Sequence, residues 1–108
     1  MHALLITFHS SAPIEDLQAP FGDYAAALRS IPGLISKTWL KDGETLGGFH
    51  VFTDRALADR YLASEMVAAL TANDAFDNFA IVRYDVLADL SITTGTPADP
   101  ITAAIPSR

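Results

Sequence analysis

The chain has 108 residues and a mass of 11.6 kDa, enough for one hydrophobic core and not for two. Seven Lys and Arg against 13 Asp and Glu give a net charge of -6 and an isoelectric point near 4.7, which argues against nucleic acid and anionic membrane surfaces, both of which are held by clustered basic residues. Cysteine is absent, so no disulfide framework, thiolate metal site or thiol nucleophile is expected.

In chain order, Ala3 to His9 (ALLITFH) reads as a first strand, broken by Ser10 to Pro13. Asp16 is placed to cap a helix whose apolar face is Leu17, Phe21, Tyr24, Leu28 and Ile31, with Pro20 near its first turn. Gly22 weakens that helix by ~1 kcal/mol relative to alanine. Ile31-Pro32-Gly33 stops it. Leu34 to Lys41 (LISKTWLK) and Leu46 to Thr53 (LGGFHVFT) then flank Asp42-Gly43-Glu44, a strong hairpin signal. Thr53 or Asp54 caps a helix through about Ala63, and a second helical piece covers Glu65 to Ala72. Phe79 to Leu87 (FAIVRYDVL) reads as the last strand, and the tail beyond Leu90 is rich in Thr, Pro, Ala and Ser.

Strand, helix, strand, strand, helix, strand is the split βαβ order of an α+β, ferredoxin-like fold: a four-stranded antiparallel sheet with its helices on one face. Strand 1 carries Leu4, Ile6 and Phe8 on one side and Leu5 and Thr7 on the other. Strand 4 sets Ala80, Val82, Tyr84 and Val86 against Phe79, Ile81 and Arg83. Both faces are apolar, so the face without helices is expected to meet a second copy of itself in a homodimer. Residues 1–90 form the domain, and 91–108 read as an arm lying on a partner. The N-terminus has neither the cationic lead nor the cleavage site of a secretory signal, and no run approaches the ~20 apolar residues of a membrane span. A cytoplasmic protein without membrane or nucleic-acid partners is the expectation.

GLISKTWL at Gly33 to Leu40, GGFHVFTDR at Gly47 to Arg55, ADRYLASE at Ala58 to Glu65 and YDVLADLS at Tyr84 to Ser91 together resemble the YdhR-type mono-oxygenase family of the dimeric α+β barrel superfamily. The likeness runs from about residue 3 to residue 95 and is loose over the first helix. The family's usual tyrosine after the Gly-Gly pair is His50 here. What the resemblance implies is a homodimer whose two sheets form a barrel, with a small-molecule cavity between each sheet and its own helices. Relatives in the superfamily oxidise aromatic polyketides with oxygen and no metal or flavin, or degrade haem. Haem chemistry there uses a histidine on helix 2, an asparagine on strand 1 and a tryptophan on strand 3. This chain has no histidine between Arg55 and Ala72, Thr7 in strand 1, and its tryptophan on strand 2, which disfavours it.

Candidate site residues follow from alternation along the strands. Trp39 and Lys37 share a face with Ile35; the indole can stack on an aromatic ligand while Lys37 steadies a phenolate or enolate. The plainer reading is a core or interface tryptophan beside a lysine that reaches solvent. His50 and Phe52 share a face of strand 3, where His50 is a candidate base near neutral pH and Phe52 a substrate contact. Trp39 is expected opposite Gly47 or Gly48, leaving a gap for a planar ligand. Tyr61 faces the sheet with a hydroxyl that needs a partner. Arg83 either binds an acidic substrate or pairs with Asp85. His9, at a strand end, reads as an ordinary exposed histidine. No pair of histidines falls at ligand spacing with a carboxylate, so no metal is expected, nor does a phosphate loop or serine elbow occur.

Two functions stand on these residues. One is a cofactor-independent mono-oxygenase acting on a small aromatic or polyketide-like substrate, with His50 and Lys37 catalytic and Trp39, Tyr61, Phe52 and Arg83 binding. The other is a non-catalytic dimeric module that binds a small ligand or serves structure. A cavity touching Trp39 and His50 favours the first; a cavity filled by side chains favours the second.

Overall fold

The computed structural model describes residues 1–104. Its elements are β1 (His2–Ser10), α1 (Ile14–Leu28), β2 (Leu34–Asp42), β3 (Thr45–Phe52), α2 (Arg55–Leu62), α3 (Glu65–Thr71), β4 (Phe76–Asp85), α4 (Ala88–Thr93) and α5 (Ile101–Ala104). The strands form one antiparallel sheet in the order β2-β3-β1-β4, the expected ferredoxin-like α+β arrangement. Of the side chains that alternate inward on β1, Leu4 and Ile6 pack with Leu28 of α1, Tyr61 of α2 and Val67 of α3, and Phe8 packs with Leu17 of α1, Leu46 of β3 and Phe76 of β4.

The β2–β3 hairpin closes as the Asp-Gly signal predicts. Gly43 is the first residue of a two-residue connection and has φ +59°, a conformation that costs glycine nothing. Asp54 caps α2 by accepting a hydrogen bond from the Leu57 amide at 2.9 Å.

Several local expectations are corrected. α1 starts at Ile14 with Pro13 at its N-cap, so Asp16 lies in the first turn, where a carboxylate complements the helix dipole without capping. Pro20 then falls in the helix interior and deprives the Asp16 carbonyl of its helical donor. β4 begins at Phe76, three residues before the expected Phe79. A register shift opposite Thr7 to His9 and a φ of +54° at Asn78 mark a β-bulge. With strict alternation Phe76 and Phe79 would face opposite sides. The bulge lets both pack on Phe8, with ring centroids 4.7 and 5.1 Å away.

A second shift, between Leu34 and Ser36, separates Ile35 from the face that Lys37 and Trp39 share. Leu34 pairs with Phe52 and joins the main core cluster, and Ile35 is buried as well. Beyond β4 the chain continues through α4, and Ile101 of α5 packs against the chain's own core. The part of the expected arm at 105–108 lies outside the described residues. No helix among the described residues is long and apolar enough to cross a membrane.

Candidate functional site

A cavity of about 140 Å³ lies between the sheet and its helices, walled by Phe21 and Tyr24 of α1, Lys37 and Trp39 of β2, His50 of β3 and Tyr61 of α2. Strand register brings these groups together. Lys37 pairs with His50 and Trp39 with Gly48 across the hairpin, while Leu4 and Ile6 of β1 back His50 and Gly48. Directly paired residues share a face, so Trp39 and His50 both look toward the helices. Comparable dry cavities of ~150 Å³ accept a benzene ring.

The gap beside the indole is occupied by the chain itself. A Cβ added at Gly48 would lie 2.6 Å from Lys37 Cε and 3.1 Å from His50 Cε1, so the Lys37 side chain runs through the space that glycine leaves. Its Nζ sits 3.6 Å from the centre of the Trp39 ring and 5.1 Å from that of Tyr24. Among the described residues no carboxylate lines the cavity. Burial lowers the Lys37 pKa to about 8, while the two ring faces favour its cationic form.

His50 is 2% exposed. Its Nδ1 lies 3.4 Å from the Leu4 carbonyl; a carbonyl only accepts, so Nδ1 carries the proton and Nε2 presents a lone pair. That Nε2 is buried with no hydrogen-bond partner among the described residues. Burial first, and then the positive charge of Lys37, lower the His50 pKa to about 4, against the opposing pull of backbone carbonyls. The expectation of a base titrating near neutrality is therefore corrected: the imidazole is neutral throughout the physiological range and stands as a permanent acceptor.

Tyr24 and Tyr61 hydrogen-bond to each other, hydroxyl to hydroxyl, at 2.6 Å, and the Tyr61 ring lies 5.5 Å from His50. Burial raises the pKa of both phenols, so both remain protonated. Whichever hydroxyl accepts keeps its own hydrogen free for a ligand. Sequence reasoning placed Tyr24 only on the apolar face of the first helix. Its signal was the hydroxyl: a tyrosine on a core-facing stripe needs a polar partner, and Tyr61 was the other tyrosine in that position.

The remaining candidates sit elsewhere. Phe52 is fully buried in the core beneath Tyr61, with ring centroids 5.6 Å apart, and does not line the cavity. Arg83 pairs with Asp59 of α2 and not with Asp85, and its Nε donates to His2 Nε2 at 3.4 Å. Asp85 lies instead 3.5 Å from His2 Nδ1. The pair ties edge strand β4 to α2, away from the cavity. His9 bonds Asp77 at 2.8 Å and Glu44 at 3.2 Å, and those bonds, Glu44 first, raise its pKa.

The family described as "Putative mono-oxygenase ydhR" matches residues 3–97. Among solved structures, the NE2512 protein of unknown function from Nitrosomonas europaea is 27% identical over 81% of this chain and 89% of its own, with a TM-score of 0.61. SnoaB, a cofactor-independent oxygenase from Streptomyces nogalater, is 19% identical over 79% of this chain and 91% of its own, with a TM-score of 0.64. The heme-degrader MhuD from Mycobacterium tuberculosis is 14% identical over 81% and 96%, with a TM-score of 0.61. The last two likenesses are of fold. No curated protein matches in sequence.

Proposed function

The chain belongs to the ydhR mono-oxygenase family, and on that premise we propose that it oxygenates a small hydroxy-aromatic or polyketide-like substrate without a cofactor, as a homodimer. The observation that carries this reading is the pairing, in one aromatic-walled cavity, of an ammonium without a carboxylate partner over Trp39 and a permanently neutral His50 with a free Nε2.

Cofactor-free oxygenation requires the substrate to supply the electrons, and an anion surrenders them more readily than a neutral molecule. A phenol or an activated methylene bound against Trp39 would place its oxygen near Lys37. The positive charge there favours the substrate anion, and His50 Nε2 accepts the proton. An imidazole with a pKa of about 4 holds that proton only while the anion is beside it, so the proton is readily passed on. For a methylene substrate, one atom of dioxygen enters as the new carbonyl oxygen and the other leaves as water with the two methylene hydrogens. The apolar walls keep bulk water away from the anion and orient it.

The test is oxygen uptake with hydroxy-aromatics of one to three rings, read together with incorporation of labelled oxygen. The reading expects uptake matched by one labelled atom in product, lost in His50→Phe and in Lys37→Met. Ligand binding without uptake across the series would overturn it and leave the non-catalytic binding module, which the filling of the Gly48 gap by Lys37 favours.

A further inference from the structure

We infer that Lys37 is a covalent capture site for small aldehydes and ketones: its Nζ, held over the Trp39 ring in a cavity with no carboxylate among its described lining residues, condenses with a carbonyl ligand to form an imine. This shares the cavity of the oxygenation reading but needs neither oxygen nor His50, so either can fail alone.

A lysine drawn partly into an apolar site usually has a carboxylate to answer its charge. Here the near groups are the rings of Trp39 and Tyr24, the hydroxyl pair of Tyr24 and Tyr61, and His50, whose own protonation Lys37 opposes. Lys41, the other lysine of the chain, is exposed and also borders the cavity. A ring face is an unusual partner because it leaves the nitrogen lone pair free once a proton departs. A carboxylate would instead hold the amine as a hydrogen-bonded ammonium. Desolvation in an apolar pocket is how amines become nucleophiles near neutral pH, and the lowered pKa of Lys37 agrees with the geometry.

The condensation balances without a further reactant. The amine nitrogen adds to the carbonyl carbon, and the carbonyl oxygen leaves as water with two of the hydrogens that began on the ammonium. The product is a protonated imine, so one positive charge enters and one remains. Trp39 faces that charge before and after the step, and a planar iminium suits a ring face at least as well as an ammonium. The free hydroxyl of the Tyr24–Tyr61 pair can relay one of those hydrogens to the departing oxygen, regaining it from the nitrogen. The cavity has room for a ligand of about one ring.

With two lysines and the Met1 amine as the amines of the chain, the test is site-resolved. The full chain is incubated with benzaldehyde at pH 7, trapped with cyanoborohydride, and mapped by peptide mass for a benzyl group on each amine. Lys37 should be labelled at least about tenfold faster than the exposed Lys41, because its lowered pKa leaves more of it as free amine than an ordinary lysine has. Urea-unfolded chain should lose that preference. Lys37→Arg, which keeps the charge, should show only the slow background. Equal rates at Lys37 and Lys41 in the folded chain, or a Lys37 rate that unfolding does not lower relative to Lys41, would overturn the proposal.

Discussion

Lys37 occupies the space that Gly48 leaves vacant, its Cε 2.6 Å from where a Cβ at residue 48 would stand. The glycine is thus part of the lysine's seat, and the two residues together set Nζ over the indole. Replacing Gly48 by alanine should push Lys37 off the Trp39 ring at a cost of ~1–3 kcal/mol, the range for overpacking against a side chain that can yield. Trp39 is the single tryptophan, so its emission spectrum reports the displacement directly. An unchanged spectrum with unchanged stability would show that the lysine does not depend on this glycine. Gly47 differs: a Cβ there would strike the Ile6 backbone carbonyl, which cannot swing away, and Gly47→Ala should destabilise more than Gly48→Ala.

Gly22 stands in the middle of α1, and a Cβ added there meets nothing within 4 Å. Gly22→Ala should therefore gain about 1 kcal/mol from helix propensity alone, read as a higher urea midpoint at constant slope. A loss would mean that α1 uses the glycine to bend beside Pro20.

How much was legible follows from where tertiary contacts overrule local signals. The hairpin at Gly43, the cap at Asp54 and the Trp39–Gly48 register are written in adjacent residues, so a sequence reading finds them. β4 begins three residues before the expected Phe79, because the packing of Phe76 on Phe8 draws residues 76–78 into the sheet. Arg83 has carboxylates on either hand, and only the docking of α2 selects Asp59 over Asp85. The cavity's polar partners divide in the same way. Lys37 and His50 pair across one hairpin and were visible together. Tyr24 reaches Tyr61 only through the packing of α1 beside α2.

The tyrosine pair can be weighed by a double-mutant cycle. Tyr24→Phe and Tyr61→Phe each break the 2.6 Å hydrogen bond and leave the other hydroxyl in a buried setting. Each single change should cost about 1 kcal/mol, and the double change should cost less than the sum. Strict additivity would mean that water replaces the missing partner.

Stability should fall on the acid side because of His50. Its pKa drops from 6.5 in the unfolded chain to about 4 on folding, so folding excludes a proton. The contribution is complete above pH 6.5 and is lost as pH falls through 4, with a ceiling of about 3 kcal/mol. His9 runs the other way. Its raised pKa adds stability below pH 6.5 that is lost as pH rises through the folded value, and salt should screen it because it is exposed. Urea midpoints between pH 4 and 7 should therefore lose most of their acid slope in His50→Phe and steepen in His9→Asn. An acid slope that survives in His50→Phe would assign it to carboxylates instead.

The sheet face without helices carries the last prediction. Phe49, Leu5 and Val82 form one row across β3, β1 and β4, directly paired in register. Leu40, Phe49, Val82 and Tyr84 on that face are 40%, 37%, 43% and 49% exposed. No charged residue interrupts the row, whereas a face meant for water would alternate with polar side chains. Burying it against a second copy is the symmetric way to hide it, and a stable interface of this kind should cover at least ~1,200 Å² in total. Light scattering at micromolar concentration should give twice the mass of the chain. Phe49→Glu with Val82→Glu would set two carboxylates of each protomer against those of its partner, and the mass should fall to that of one chain. The circular dichroism spectrum should stay that of the parent, because neither side chain belongs to the two core clusters. A parent chain that is monomeric under these conditions would sink the prediction, as would a dimer indifferent to both glutamates.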